Sequence, residues 1–388
     1  MDQGQFVVET RRKLHQLAEE SLEEHQTTQA IISYLEEWGI QYVRPLDTGV
    51  LAYMKGDSDS DSFIAFRSDI DALPIQEKQD HDFQSKTPGV MHACGHDGHM
   101  TALLLFAKRL SDRHQAGDLK ANVIFIFQPA EESYGGGNLL LEAGAFDDFN
   151  VEKVYGVHLL PSLEEGRVIY KDGPITASAT EYRIYLKGQS AHVAHKEEGH
   201  SAIEALSILL SQIPLINHYH LNGLNHNIIH IGQVRAGEAI NTVAQDGYLE
   251  GTIRTYEAGD LQVIKESLSK LVESVQSMTG VEADLTYNQG YPPTDNHPSL
   301  KAEVQQAIDQ VGLIGVEADR PFLFGEDFSF YKRLAPSYFV FFGVQNLDKN
   351  FTAGLHTPEF NFDEMNLIKI ADYYEKLLDL DIASKEEG

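Results

Sequence analysis

The feature that most constrains the fold is an apolar run from Val123 to Phe127, which contains no polar residue in alternation. A strand with one face in water alternates apolar and polar side chains, whereas a strand buried on both faces does not. Strands buried on both faces belong mainly to parallel sheets that are covered by helices. The run therefore predicts an α/β protein.

Segments with helical apolar spacing alternate with short β-rich runs over the first half of the chain, as expected for an α/β domain. Helices are predicted at 5–18, at 27–38 and directly after the His-rich segment 92–99. Strands are predicted at 63–67, 123–127 and 154–159. No internal repeat interrupts this pattern.

The pattern changes near residue 178, where a run of different elements begins. Strands are predicted at 181–187, 227–234, 247–255 and 281–287, and helices at about 200–213 and 260–278. The order strand, helix, strand, strand, helix, strand is that of a ferredoxin-like domain, whose exposed sheet edge suits dimerisation.

A predicted helix at 298–311, a strand at 338–342 and a helix at 363–380 then return to the first domain. We therefore predict a catalytic domain formed by 1–178 and 291–388, with an inserted domain at 179–290. A chain of 388 residues is long enough for two hydrophobic cores.

The charge balance restricts the partners that the protein can bind. Its 59 acidic and 30 basic residues give a net charge of −29, which disfavours binding to the phosphate backbone of nucleic acid. No apolar run approaches the roughly 18 residues that a membrane span requires, and the N-terminus has no basic-then-apolar signal segment. We expect a cytoplasmic protein that binds neither nucleic acid nor membranes.

The densest group of chemically active residues is the segment from His92 to His99, which contains three histidines and the only cysteine, Cys94. Thiolate and imidazole are ligands that a borderline cation such as zinc prefers, and Cys94 lies two positions before His96. A loop with solvent-facing histidines and a catalytic thiol at Cys94 are the alternatives. The base that activates a catalytic thiol usually comes from elsewhere in the fold, whereas the histidine nearest to Cys94 is only two residues away. Metal binding therefore explains the segment better than a catalytic thiol.

A second group, Glu131 and Glu132, follows the predicted buried strand 123–127. Catalytic groups in open α/β sheets gather at the carboxyl ends of the strands. Adjacent carboxylates point in different directions, so that one can bind metal while the other transfers protons. The alternative is a solvated acidic loop.

Other candidates also follow strand-like runs: His158, His356 and the pair Asp69 and Asp71. Either histidine alone is more often a hydrogen-bonded structural residue, and Asp-x-Asp is also a common turn. Other mechanisms lack their motifs, because the chain has no Gly-x-Ser-x-Gly elbow, no Walker loop and no Gly-x-Gly-x-x-Gly.

Taken together, the segments 91–101 and 128–132 resemble the aminoacylase, hippurate hydrolase and auxin-conjugate hydrolase family of dinuclear metallo-amidohydrolases. Supporting matches lie at 67–74, 251–255, 325–328 and 355–358. The resemblance implies a zinc-peptidase-like α/β catalytic domain with an inserted ferredoxin-like lid and dimerisation domain.

The resemblance also implies roles for individual residues. Two divalent cations, zinc or manganese, would be bound by five residues: Cys94, His96, Glu132, His158 and His356. Glu131 would be the general base, Asp71 would orient a ligand, and the lid residue His192 would reach the scissile carbonyl. Asn241 and Arg254 would bind substrate, with Arg254 contacting its carboxylate.

The predicted function is hydrolysis of the amide bond of small N-acyl amino acids by a homodimeric enzyme. A peptidase acting on di- or oligopeptides would share every predicted metal ligand and differ in the shape of its pocket. A non-catalytic metal-dependent binding protein is the alternative from another class, and the Glu131–Glu132 pair argues against it.

Overall fold

The computed structural model describes residues 2–58, 60–288 and 290–386, and the chain forms two compact units. The first unit comprises Met1–Ile175, Asp295–Arg320 and Asp327–Gly388. The second comprises Thr176–Thr294 and Pro321–Glu326, and it is therefore inserted into the first.

The first unit begins with four helices and seven strands before the insertion. The helices are α1 (Gln3–His15), α2 (His25–Glu37), α3 (His96–Gln115) and α4 (Gly136–Glu142). The strands are β1 (Gln41–Val43), β2 (Val50–Met54), β3 (Ser62–Asp69), β4 (Asn122–Gln128), β5 (Asn150–Glu164), β6 (Arg167–Tyr170) and β7 (Gly173–Pro174).

The second unit contains one sheet and two long helices. Its elements are β8 (Thr180–Lys187), α5 (Ala202–Tyr219), β9 (Ile228–Ala236), β10 (Asp246–Arg254), α6 (Ala258–Thr279) and β11 (Glu282–Tyr287). The first unit then resumes with β12 (Asp295–Asn296), α7 (Lys301–Gln310), β13 (Ile314–Glu317), β14 (Ser337–Gln345) and α8 (Asn366–Glu386).

The main sheet of the first unit has the strand order β1-β2-β4-β3-β5-β14-β6-β13. Strand β3 lies parallel to both β4 and β5, and β14 lies parallel to β5. Every residue of β4 is buried, as its unbroken apolar sequence predicts. Because these four strands are parallel, the residues that follow them meet at one edge of the sheet.

The second unit is an antiparallel sheet in the order β11-β8-β10-β9. In β8, alternate residues are buried, so that Tyr182, Ile184 and Leu186 pack in the core of this unit. Both α5 and α6 contribute apolar side chains to the same core. The predicted fold class, an α/β domain with a ferredoxin-like insertion, is confirmed.

Several element boundaries differ from the sequence predictions. Helix α5 extends to Tyr219, beyond the predicted end near 213, because the chain remains helical through Pro214. Helix α4 and the short strands β1, β2, β6, β7, β12 and β13 were not predicted, since their sequences have too few residues to show a period. Within the described residues, no helix is both long and apolar enough to cross a membrane.

Candidate metal and catalytic site

Five predicted metal ligands come together in the first unit from distant parts of the chain. Cys94 precedes α3, His96 begins it, Glu132 follows β4, His158 lies in β5, and His356 lies in the loop before α8. They form overlapping groups whose ligand atoms all lie within 4.8 Å of one another: Cys94 with His96 and His158, and Cys94 with Glu132 and His356.

Cys94 is common to both groups and lies between two imidazoles. Its Sγ atom is 3.3 Å from Nε2 of His158 and 3.3 Å from Nε2 of His356. Oε1 of Glu132 lies 3.4 Å from Nε2 of His356 and 3.9 Å from Nε2 of His96. The potential ligand atoms therefore form two adjoining groups that share Cys94, and each group could hold one cation.

The polar atoms that face these positions fit divalent cations. Nε2 of His96 and Oε1 of Glu132 are buried and have no hydrogen-bond partner in the described part of the chain. Leaving such atoms unsatisfied costs about 1–3 kcal/mol each, and a bound cation would satisfy both. Burial, followed by the charges of Glu132 and Glu131, raises the pKa of the Cys94 thiol well above its usual value. A nearby cation would reverse this effect and stabilise the thiolate.

The outer nitrogens of two imidazoles are fixed by the backbone. Nδ1 of His96 lies 2.9 Å from the carbonyl oxygen of Asp71, and Nδ1 of His158 lies 2.7 Å from the carbonyl oxygen of Leu159. If these nitrogens carry the protons, both Nε2 atoms are left as acceptors facing the centre. This is the usual arrangement around metal-binding histidines.

Asp71 links the two segments that carry His96 and Glu132. One carboxylate oxygen accepts hydrogen bonds from the backbone N–H of Glu132 at 3.0 Å and from the hydroxyl of Ser21 at 2.7 Å. The other oxygen lies 3.3 Å from Nδ1 of His96. Asp71 is fully buried, and its position fits the predicted role of orienting a ligand.

The predicted general base, Glu131, is located beside these ligands. It is 6% exposed and forms a third group with His96 and Glu132 whose ligand atoms lie within 4.8 Å of one another. The residue before it, Ala130, has a positive φ of 58°, a conformation that side-chain-bearing residues rarely adopt. This turn separates the end of β4 from the two glutamates.

A buried ionic network lies at the same edge of the sheet. Arg67 donates hydrogen bonds to Asp69 at 2.7 Å, to Asp327 at 2.6 Å and to the side-chain oxygen of Gln128 at 3.0 Å. Asp69 also lies 2.6 Å from Nδ1 of His99. All five side chains are essentially inaccessible to solvent, so the network connects β3, β4 and α3 with the segment before β14.

His99 is accounted for by this network. Its Nε2 accepts a hydrogen bond of 3.0 Å from the backbone N–H of Leu159, directly after His158. The pair of Asp69 and His99 therefore fixes the backbone beside His158. From the sequence, His99 was one of three histidines in the predicted metal-binding segment, with no individual role assigned to it.

A further group of possible metal-binding residues, His15, Glu77 and His81, is joined by contacts among its own side chains. Glu77 lies 3.2 Å from Nε2 of His15 and 2.9 Å from Nε2 of His81. Nδ1 of His15 lies 2.8 Å from Asp97, which also accepts from the guanidinium of Arg11 at 3.0 Å. Glu77 and Asp97 each lie between two basic side chains, so contacts within the chain account for most of this cluster.

The three predicted substrate-contacting residues lie in the second unit. His192 and Asn241 occur on adjacent segments, since the N–H of Val193 donates to the carbonyl of Asn241 at 3.0 Å and His192 forms a β-bridge with Thr242. Arg254 ends β10 and is partly buried. A side chain added at Gly325 would come within 3.1 Å of its guanidinium.

Sequence analysis missed Glu24, a fully buried residue at the start of α2. Its Oε1 atom accepts a hydrogen bond of 2.8 Å from the N–H of Ala130. The two residues are 106 positions apart, and nothing in the sequence near Glu24 indicates this contact.

Comparison with known proteins places this arrangement in a family. Residues 65–380 match the model of peptidase family M20/M25/M40. The chain belongs to that family. It is accordingly a metal-dependent hydrolase that acts on C–N bonds, and its substrate is a small peptide or amide compound. The resemblance found in the sequence is confirmed.

Curated relatives support the assignment over nearly the whole length of the chain. An uncharacterized hydrolase of Staphylococcus haemolyticus is 55% identical over 97% of this chain and 98% of its own length. An uncharacterized hydrolase of Staphylococcus epidermidis is 56% identical over the same shares. Both relatives are described as hydrolases, and neither description names a substrate.

Solved structures give the same result. A putative aminohydrolase from methicillin-resistant Staphylococcus aureus has a TM-score of 0.90 and 26% identity, covering 98% of this chain and 97% of that one. The YxeP protein of Bacillus subtilis, described as a dinuclear metal-binding peptidase of the M20 family, has a TM-score of 0.84 and 32% identity, covering 98% of both chains.

Proposed function

We propose that this protein hydrolyses the amide bond of N-acyl amino acids with the help of two divalent cations, zinc or manganese. The observation that carries the proposal is the convergence of five potential ligand side chains in two groups that share Cys94: Cys94, His96, Glu132, His158 and His356. Two of their buried atoms, Nε2 of His96 and Oε1 of Glu132, have no hydrogen-bond partner among the described residues.

Glu131 is proposed as the general base. Cations at this site would act as Lewis acids that make a water molecule acidic and polarise the amide carbonyl. Glu131 is next in sequence to a proposed ligand, and it lies within reach of the same centre. It would accept a proton from the attacking water and return it to the leaving amine.

The second unit is proposed to act as a lid that carries residues for substrate binding. His192 would donate a hydrogen bond to the developing oxyanion, a contribution of about 3 kcal/mol for a well-placed donor. Asn241, on the segment adjacent to His192, would also contact substrate.

Arg254 is proposed to bind the carboxylate of the amino-acid portion. Burial is the main influence on this guanidinium and lowers its pKa, which the charge of Glu181 only partly offsets. Within the described residues, no carboxylate forms an ion pair with it. A partly buried cation of this kind is well suited to a substrate carboxylate, because Arg can bind it with two parallel hydrogen bonds.

A hydrolysis screen tests the substrate class. Protein loaded with manganese or zinc would be incubated with acetyl, benzoyl and longer acyl derivatives of amino acids, and with unblocked dipeptides. We expect the N-acyl amino acids to have the highest kcat/KM. Faster cleavage of dipeptides would instead indicate a peptidase, and no cleavage of any amide would indicate a binding protein.

The role of Glu131 has a direct test. Glu131→Gln removes the proton acceptor but retains the size of the side chain, so we expect normal metal content and a loss of nearly all turnover. Glu359→Gln, at an exposed position near His356, is the matched control and should be unchanged. A near-normal kcat for Glu131→Gln would eliminate the proposed role.

We also propose a homodimer that forms through the second unit. Strand β9 is the last strand of its sheet, and α5 exposes Ile203, Leu210 and Leu215. An apolar helix face beside an unpaired sheet edge is typical of an interface. Leu210→Asp should shift the mass in light scattering from dimer to monomer, whereas Leu347→Asp, at an exposed site in the first unit, should not.

The cytoplasmic location stays a prediction.

A further inference from the structure

The backbone turn that presents Glu131 contains an unfavourable residue. Ala130, directly before it, has a φ of 58°, in the left-handed region that glycine and asparagine adopt more readily than alanine. Such a conformation persists when surrounding contacts hold it in place. Contacts from other segments of the first unit hold this turn.

One contact comes from Glu24, the residue that precedes the first turn of α2. Residues at this position usually accept a hydrogen bond from their own helix, but the Glu24 side chain forms no such cap. Its Oε1 instead accepts the N–H of Ala130 at 2.8 Å. The carboxyl group is fully buried, so water cannot replace it as the acceptor.

Pro129, the residue before Ala130, is held by close packing against two glycines. A Cβ atom added at Gly49 would lie 2.5 Å from the Pro129 ring, and one added at Gly136 would lie 1.6 Å from the Pro129 carbonyl oxygen. Gly49 is itself tied to α2, because its N–H donates to the hydroxyl of Thr28 at 2.9 Å. The start of α2 thus contacts the turn both directly and through Gly49.

The other side of Glu131 is also fixed. The N–H of Glu132 donates to the carboxylate of Asp71 at 3.0 Å. Glu131 therefore lies between two backbone N–H groups, each held by a buried carboxyl group from a different segment. With both flanking peptides fixed, the direction of the Glu131 side chain is restricted.

We infer that Glu24 is a positioning residue, which holds the left-handed turn at Ala130 and so directs Glu131 towards the reacting water. This inference rests on the proposed role of Glu131 as general base. It adds a residue that contacts neither substrate nor ligand and acts only through the backbone.

Substitutions at Glu24 separate positioning from general stability. Burial, followed by the charge of Asp71, raises the pKa of Glu24 to about 7, so a neutral side chain is tolerated here. Glu24→Gln retains an oxygen acceptor and should keep kcat within about threefold of wild type. Glu24→Leu retains the volume but removes the acceptor, and should lower kcat about 10- to 100-fold.

The experiment measures kcat, KM, metal content and melting temperature for both variants on the best substrate from the screen. Positioning of a base predicts a fall in kcat with KM and metal stoichiometry nearly unchanged, because the ligands remain in place. Asp381→Asn is the control, since it also removes a buried carboxyl group from the first unit, at α8. It should affect melting temperature and leave kcat unchanged.

A second substitution tests the pathway through Ala130. Glycine adopts positive φ without strain. Adding Ala130→Gly to the Glu24→Leu variant should therefore raise its kcat at least threefold. A cavity or a folding defect at Glu24 would gain nothing from this change. The rescue is therefore specific to the backbone conformation.

The outcomes distinguish this inference from the proposed function. Normal kcat in Glu24→Leu, or equal losses in Glu24→Leu and Glu24→Gln, would overturn the positioning role. So would an absence of rescue by Ala130→Gly. If Glu131→Gln is fully active, the proposed function fails as well; if it is inactive while Glu24→Leu is normal, only the positioning role fails.

Discussion

Replacement of Arg67 by methionine should strongly destabilise the first unit. The guanidinium lies between Asp69 and Asp327, at 2.7 and 2.6 Å, and none of the three side chains is exposed. Burial raises the pKa of Asp69, but the charges of His96, His99 and Arg67 outweigh it and hold the pKa well below its usual value. Asp69 is therefore ionised, and Arg67 donates directly to its carboxylate.

The size of the effect follows from what remains after the substitution. Removing one partner of a buried ion pair usually costs about 3–5 kcal/mol, because the other charge stays buried without compensation. Asp327 differs, since burial raises its pKa despite the nearby Arg67. Asp327→Asn keeps one acceptor oxygen for the N–H of Gly137, but its amide group then faces the donors of Arg67 and Gln128, so it should cost about 1–3 kcal/mol.

Urea unfolding followed by circular dichroism measures these differences. Arg167→Met is the matched control, because Arg167 forms an exposed pair with Glu164, which is worth about 0–1 kcal/mol. A loss of less than about 1 kcal/mol in the unfolding free energy of Arg67→Met would show that the buried carboxylate of Asp69 does not depend on Arg67.

Three further predictions concern the metal, the turn and pH. Chelation should lower the unfolding free energy by about 3 kcal/mol if metal was present at 100-fold its Kd, and calorimetry checks this. Gly136→Ala places Cβ 1.6 Å from the Pro129 carbonyl and should abolish turnover in the hydrolysis assay, whereas Gly259→Ala meets no atom within 4 Å and should not. Burial lowers the pKa of His15, but its two carboxylate partners raise it overall, so its stabilisation is complete below pH 6.5 and lost at higher pH. Hydrogen bonding to His15 lowers the pKa of Glu77 despite burial, so its stabilisation is present above pH 4.5. The melting temperatures of wild type and His15→Gln should therefore differ most between pH 4.5 and 6.5, and an equal gap at pH 9 would contradict this.

Much of the candidate site could be predicted because several of the proposed ligands lie in short, dense motifs. Cys94 and His96 are two residues apart, and Glu131 and Glu132 directly follow a strand whose apolar sequence reveals that it is buried. His158 was recognisable as a candidate because it also occurs in a strand-like run. Their convergence follows from parallel strands that end at one edge of the sheet.

The supporting contacts could not be predicted in the same way. Glu24 and Ala130 are separated by 106 residues, and Arg67 and Asp327 by 260. Neither pair has a periodic pattern or a local motif, since each depends on how whole segments pack. The left-handed conformation of Ala130 likewise follows from its contacts, because alanine itself does not favour it.

Anomalous X-ray diffraction from crystals of the manganese- or zinc-loaded protein would locate the two proposed cations. We expect two anomalous peaks per chain, bound by Cys94, His96, Glu132, His158 and His356, with Glu131 facing the space beside them. A single peak, or peaks bound by other residues, would contradict this expectation.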